Sequence, residues 1–408
     1  MHVVVAPDKF KGSLTAREVA DRVAAGIAAV TPGVDVVRVP VADGGDGTVD
    51  AALAAGYERI PVRATGPTGA PVDTAYAVRD GVAVVELADV SGLRLLPPDR
   101  LAPRTATSYG TGEVIRAALD RGCRSVVLGI GGSASTDGGA GMVEALGVRL
   151  LDAAGNPLPR GGGALADLDR VDLSGLHPAV ARTRIVVACD VDNPLLGPHG
   201  AAAVYGPQKG ASPDDVTALD AALKHWADVV DAVLAGPGGL QHGGLTAVGL
   251  EQGHLAANPA NPPANPAPAT RDRAGAGAAG GVGYAAMAVL GAELEPGIGL
   301  VLDLVRFADH LPGASLVVTG EGSLDEQTLH GKAPAGVAAA AAKAGVPVVT
   351  VSGRLGLDRA QLERAGIAAA YALTDIEPDV QRCQAEAGPL LERLATNLAR
   401  ERIGGTTP

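Results

Sequence analysis

The sequence predicts an α/β protein: a Rossmann-like parallel-sheet domain built from both chain ends, a second α/β domain inserted between them, and an active site in the interdomain cleft. Three observations carry this reading. Apolar runs such as 2–6 and 126–128 are hydrophobic throughout rather than alternating, the pattern of strands covered on both faces. They are separated by stretches of helical periodicity. Several run straight into loops of glycine, small hydroxyl and acidic residues, at 7–13, 42–48, 129–141 and 319–325. In parallel α/β sheets, ligand sites lie outside the carboxyl ends of the strands.

Taken in order, strand 2–6 leads to a helix announced by a capping box, Thr15 with Glu18, and by a staple of Leu14 on Val19. Val19, Val23, Ile27 and Val30 recur on one helical face, and Thr31-Pro32-Gly33 stops the helix. A strand at 36–41 and a helix at about 48–55 follow. From 57 to about 89 the pattern alternates, as in Asp73-Thr74-Ala75-Tyr76-Ala77-Val78-Arg79, which reads as a strand or hairpin with one wet face. Near the C-terminus the first grammar returns. Strands at 316–318, 346–351 and 368–373 alternate with helices at 334–343, 358–365 and 388–400. Residues 1–60 and 296–408 are therefore expected to form the first domain and 61–295 the insertion. Within the latter, 256–273 is rich in Pro, Asn and Ala and is expected to be a mobile surface excursion.

Composition narrows the function. Over 408 residues, hydrophobic residues make up 47% and charged residues 19%, enough for a sizeable core. Aromatics are only 2%, so stacking platforms for single-stranded nucleic acid are scarce. The net charge of −12 argues against binding along a phosphate backbone. The cysteines, 123, 189 and 383, show no zinc or disulfide spacing. No signal peptide or membrane-length apolar run is read, so a cytoplasmic protein is expected.

The loops carry the chemistry. After Val126-Val127-Leu128, Gly131, Gly132, Ser133 and Ser135 offer backbone N–H groups and hydroxyls to an anion, and Asp137 a carboxylate near it. A tight turn that needs glycine only for its dihedrals is the plainer alternative. Lys9 and Lys11 stand before a helix N-terminus, where a cation opposes the helix dipole and asks for an anion. Lys209 and Lys332 are weaker anion candidates. Asp190 ends the strand 185–189 beside Asp192 and Asn193, placed for a base or metal ligand, or for an Asx turn before Pro194. Asp43 beside Gly44 and Gly45 has the same two readings. Asp8 is read as orienting Lys9 or binding metal, and Glu321 and Asp325 as rival metal carboxylates. Cys189 reads as strand packing, and the eight histidines form no signature.

With these blocks in view, the chain resembles the bacterial glycerate kinase family, whose members phosphorylate an organic acid with ATP. The resemblance rests on 6–15 (APDKFKGSLT), 42–48 (ADGGDGT), 129–134 (GIGGSA), 188–197 (ACDVDNPLLG), 206–211 (GPQKGA), 275–281 (GAGAAGG) and 319–322 (TGEG). It covers nearly the whole chain and implies D-glycerate and ATP as substrates, Mg²⁺, no Walker-type loop, and a monomer or homodimer. Joined to the residue chemistry, it makes Asp190, Lys9 and Asp43 the catalytic groups and Asp43 and Asp190 the Mg²⁺ carboxylates. Asp8, Lys11, Ser13, Gly44, Gly45, Gly131, Gly132, Ser133, Ser135, Asn193, Lys209, Gly277 and Glu321 become substrate- and phosphate-binding. By resemblance, 2-phosphoglycerate is favoured as product over 3-phosphoglycerate. One rival is an NAD-dependent dehydrogenase of a small hydroxy acid, from Gly129-x-Gly131-x-x-Ala134 with Asp152 beyond it. The glycines at 138, 139 and 141 weaken the helix that fingerprint needs. The other rival is a non-catalytic organic-acid-binding protein.

Overall fold

A computed structural model describes residues 2–236, 269–329 and 331–404. The excursion expected at 256–273 lies outside the described residues except for 269–273, where Thr270–Asp272 forms a short 3₁₀ turn. The strands are β1 (His2–Pro7), β2 (Asp35–Arg38), β3 (Glu58–Thr65), β4 (Pro71–Arg79), β5 (Val82–Glu86), β6 (Ser125–Gly129), β7 (Arg149–Leu151), β8 (Arg170–Asp172), β9 (Arg184–Ala188), β10 (Glu293–Glu295), β11 (Ala314–Leu324), β12 (Val348–Leu355) and β13 (Ile367–Ala372). The helices are α1 (Ala16–Ala28), α2 (Thr48–Ala54), α3 (Ala88–Ser91), α4 (Tyr109–Asp120), α5 (Ala140–Ala145), α6 (Ala201–Tyr205), α7 (Pro213–Ala235), α8 (Ala278–Leu290), α9 (Gly297–Leu304), α10 (Ala333–Lys343), α11 (Arg359–Arg364), α12 (Val380–Ala385) and α13 (Ala387–Arg402). The chain divides into two compact units, Met1–Arg59 with Ala77–Arg79 and Glu295–Pro408, and Ile60–Tyr76 with Asp80–Leu294.

The first unit is a doubly wound sheet of order β13-β12-β11-β1-β2, in which every neighbouring pair is parallel. Its strands are apolar on both sides because both sides are covered. Val3 and Val5 enter one core with Val19, Val23 and Ile27 of α1 and Leu391, Leu394 and Leu398 of α13. Val4 and Ala6 enter another with Ile298 of α9 and Val337 and Ala341 of α10. The capping box at Thr15 and Glu18 forms, and Leu14 packs on the α1 core. The chain runs from β1 outward to β2 and later returns to β11 on the other side of β1. That reversal opens a crevice at the carboxyl ends of β1 and β11.

Two strands run past the limits the sequence suggests. β11 continues beyond Val318 to Leu324, and β12 beyond Val351 to Leu355, because the two pair in register through Ser323 with Arg354 and Leu324 with Leu355. Gly320, Glu321 and Gly322 look like loop residues, but the ladder holds them extended. β2 stops at Arg38, short of 41, although the N–H groups of Val39 and Val41 still donate to Val5 and Pro7 carbonyls at 2.8 and 2.9 Å. Pro40, between them, faces the open edge of the sheet, where its missing N–H costs no bond to β1.

Arg79, at the end of β4, lies in the first unit. Its guanidinium donates to the carbonyls of Ala55 (2.7 Å) and Leu304 (3.1 Å) at the ends of α2 and α9, and stacks 4.1 Å from the Tyr57 ring centroid.

The second unit holds a sheet of order β10-β9-β6-β5-β4-β3, in which β5, β6 and β9 run parallel. The alternating stretch from 57 onward forms β3, β4 and β5. β7 and β8 form a small antiparallel pair. α7 is capped by Ser212 and Asp215 with Pro213 at its first position. Among the described residues, no helix is long and apolar enough to cross a membrane.

The α1–α13 seam makes the first unit's core testable. Leu398 is fully buried there, so Leu398→Ala should lower stability by about 2–5 kcal/mol. Urea denaturation of the variant beside wild type measures this.

Candidate active site

In the first unit the candidate groups gather at the switch point. β1 ends at Pro7, and the Asp8 N–H donates to the Gly320 carbonyl at 2.8 Å, which fixes Asp8 beside β11. The Lys9 N–H donates to Asp8 Oδ1 at 2.6 Å, and Lys9 Nζ lies 3.7 Å from the same oxygen. The ammonium also donates to the Asp46 carbonyl and stands 3.9 Å from its carboxylate. Asp8 is 6% exposed. Burial pushes its pKa up to about 7; Lys9 opposes the rise, while Asp43 and Glu321 reinforce it. Glu321 on β11 is also raised by burial, against a hydrogen bond from Thr328 Oγ1 at 2.5 Å and Lys332 Nζ at 4.0 Å. Ser352 pairs in register with Glu321, and its fully buried hydroxyl has no partner among the described residues. Nothing in the local sequence marks Ser352; only the length of β12 places it there.

Asp43 accepts from the Gly45 N–H at 3.2 Å, and Thr48 Oγ1 caps the Gly45 carbonyl at 2.7 Å. This Asx geometry holds Gly44 and Gly45 in the turn before α2. Gly297, the first residue of α9, backs the turn so closely that a Cβ there would lie 2.0 Å from the Asp43 carbonyl oxygen. No motif in the sequence marks Gly297. Ser13 Oγ donates to the Phe10 carbonyl at 3.1 Å and serves its own turn, while Lys11 is exposed beside it.

In the second unit, β6 delivers the glycine loop. The N–H groups of Gly131, Gly132 and Ser133 have no acceptor among the described residues, whereas the Ala134 N–H is bound to the Ser91 carbonyl at 2.9 Å. Gly132 is left-handed (φ 71°) and exposed, and Ser133 to Thr136 are buried beneath it. Consecutive N–H groups in such a turn form an anion-binding concavity. Asp137 is not a ligand carboxylate: it is fully buried, and its oxygens accept from the N–H of Ser108 (2.8 Å) and its Oγ (2.9 Å), Thr107 Oγ1 (3.3 Å), and the N–H groups of Gly139 (3.2 Å) and Gly141 (3.3 Å). Beneath the loop, Ala279, Gly280 and Gly281 are all left-handed, and a Cβ on Gly280 would lie 2.1 Å from the Ser135 carbonyl oxygen. Trp226 Nε1 donates to the Gly138 carbonyl at 3.1 Å.

Lys209 sits differently from an anion-binding lysine. It is 1% exposed; its ammonium donates to Ser133 Oγ at 2.8 Å and to the Ser135 carbonyl. Burial pulls its pKa down to about 7, against the pull of Asp137.

After β9, Asp190 and Asp192 are exposed. Asn193 Nδ2 donates to the His199 carbonyl at 2.8 Å and Oδ1 accepts from Tyr205 at 2.6 Å, so its side chain holds the loop together. The Gly277 N–H donates to the Asn193 carbonyl at 2.9 Å. Cys189 packs behind them; burial raises its thiol pKa, which keeps it protonated. Among the described residues no three His, Cys, Asp or Glu side chains gather as a metal site.

The dinucleotide fingerprint does not form. The helix after β6 begins only at Ala140, and Asp152 is spent on the N–H groups of Ala154 (2.9 Å) and Asn156 (2.8 Å) in an exposed turn. The equipment is that of an enzyme handling small anions: a glycine-lined concavity, a lysine, and strand-end carboxylates, each at the carboxyl ends of parallel strands.

Comparison with known proteins makes this specific. The glycerate kinase family model matches residues 3–402, and the chain belongs to that family. It is 42% identical to a glycerate kinase of Bacillus subtilis (strain 168), over 98% of this chain and 97% of that one. It is 43% identical to a glycerate 2-kinase of Escherichia coli (strain K12), over 91% and 90%. A crystal structure of a protein assigned as glycerate kinase 2 from Salmonella typhimurium LT2 superposes with a TM-score of 0.80 at 39% identity, covering 99% of each chain.

Asp8 yields a test. Its pKa is about 7 in the folded protein against an ordinary 3.8. Across that window the folded state holds a proton the unfolded chain releases, so this group's contribution to stability falls as pH rises. Asp8→Asn cannot ionise. Its melting temperature relative to wild type should therefore rise between about pH 4 and about pH 8, as thermal melts at matched ionic strength measure.

Proposed function

We propose that the protein transfers the γ-phosphate of ATP to the 2-hydroxyl of D-glycerate, giving 2-phosphoglycerate and ADP. Membership of the glycerate kinase family along nearly the whole chain supports the activity and implies ATP as co-substrate. The relative named glycerate 2-kinase supports the 2-position. The observation that carries the reading is the run of unpaired N–H groups at Gly131, Gly132 and Ser133, around the exposed Gly132, in the turn after a parallel strand. It supplies the phosphate cradle that a kinase without a Walker loop needs.

Phosphoryl transfer asks for positioning and charge stabilisation rather than covalent help. Lys9 supplies the cation for an anionic substrate group, held in place by Asp8 and Asp46. Asp190, exposed at a strand end, takes the proton of the attacking hydroxyl. Mg²⁺ binds through one or two carboxylates together with water and substrate phosphates. The half-buried Asp43 and the exposed Asp190 each carry oxygen donors of that kind at a strand end. The ion would neutralise phosphate charge.

Purified protein should release ADP only when both D-glycerate and Mg²⁺ are present, and phosphorus NMR should place the product phosphate on the 2-oxygen. ADP release that ignores glycerate overturns the activity, and a 3-phosphate product overturns the position. Asp190→Asn should stay folded and lose roughly 10²–10⁴-fold in kcat. Wild-type turnover in that variant would reduce Asp190 to a turn residue. Lys9→Ala should act mainly by raising KM, for glycerate if it meets the carboxylate or for ATP if it meets the phosphates; unchanged KM for both removes it from the site.

A further inference from the structure

Lys209 is a buried ammonium with no carboxylate to pair with. Asp137, the charge that acts on it, directs its oxygens to Thr107, Ser108, Gly139 and Gly141. Burying a charge without an ion pair is costly, and an apolar side chain of similar length avoids that cost. The backbone around Lys209 is firmly placed. It ends the 3₁₀ turn Pro207–Lys209, and the left-handed Gly210 follows, where a Cβ would press within 2.8 Å of Leu101. What the ammonium does touch is the underside of the glycine loop, Ser133 Oγ and the Ser135 carbonyl, on either side of the residue whose N–H is tied to Ser91.

We infer that Lys209 is a positioning residue for the nucleotide: from beneath, it fixes Ser133 and Ser135 so that the N–H groups of Gly131, Gly132 and Ser133 stay convergent on phosphate. The inference rests on the phosphate-cradle reading above. It differs from an anion-binding role because Lys209 never reaches the ligand. The loop's crest contains glycines free to adopt many backbone conformations. A lysine Nζ offers more than one donor on a single atom, so one side chain pins two points of the loop. The long stem carries Nζ from the Pro207–Lys209 turn to both Ser133 Oγ and the Ser135 carbonyl, which accounts for a lysine at this position.

The test compares wild type with Lys209→Met, which keeps the length and apolar stem and removes the donors, and Lys209→Arg, which keeps donors in a bulkier head. ADP affinity is measured by direct titration without glycerate. Melting temperature and the exchange rates of the amides at 131–135 are measured beside it. Lys209→Met should melt at or above wild type, bind ADP about 10- to 100-fold more weakly, and exchange those amides faster. Lys209→Arg should bind ADP better than Lys209→Met while melting lower, because the core is overpacked. That inversion between stability and affinity is not available to a mere structural prop. Wild-type ADP affinity in Lys209→Met overturns the inference, and so does a Lys209→Met protein that fails to fold or melts well below wild type. Wild-type protein that binds ADP but does not turn over glycerate sinks the kinase reading and leaves the Lys209 comparison intact.

Discussion

The buried carboxylate of Asp137 is the constraint on which the second unit's loop depends. A fully desolvated carboxylate is tolerated only when its lone pairs are filled, and here the N-terminus of α4 and the loop's own amides fill them. The consequences spread outward. Ser108, which donates to Asp137, also accepts from the Met142 N–H at 2.9 Å and so sets the start of α5. With one end of the loop fixed by Asp137 and the other by β6, the turn at Gly131 and Gly132 is the stretch left without such a tie.

The first unit solves a similar problem with the opposite balance. Asp8, Asp43 and Glu321 act on one another as like charges, with Lys9 and Lys332 as the nearby cations. Where Asp137 has its full complement of donors, Asp8 takes one from Lys9 and is driven toward its neutral form by burial. Such a group responds to added positive charge, which is the property expected of a strand-end site that handles metal-bound or anionic substrates.

The α/β class was legible because its signals are local: uninterrupted apolar strands, the Thr15 cap, and helical spacing of Val19, Val23 and Ile27. What was not legible depends on partners far away in sequence. Glu321 reads as a loop residue between glycines, and only the register with β12, formed by residues some thirty positions later, makes it a strand residue. Lys209 reads as a surface cation in a glycine-rich turn, yet burial among residues 133–137 turns its charge inward. Asp137 reads as a carboxylate beside an anion, but donors from Thr107 and Ser108, about thirty positions earlier, join the local amides of Gly139 and Gly141 and turn it inward. Gly297 carries no motif at all; it is marked only by the backbone of Asp43 pressing against it.

The strand order of the first unit bears on the order in which the protein is made. β1 leaves the ribosome long before its neighbour β11, which begins at Ala314, and before the helices that cover its Val4 and Ala6 face, α9 and α10, which begin at Gly297 and Ala333. Val3 to Ala6 therefore wait with one edge unpaired and one face bare while the second unit, almost wholly contained in 60–294, is synthesised and closes on its own contacts. Residues 1–59 stay incomplete until α9, β11 and α10 arrive, so a ribosome that stalls after the second unit releases a folded body trailing an apolar strand with one open edge.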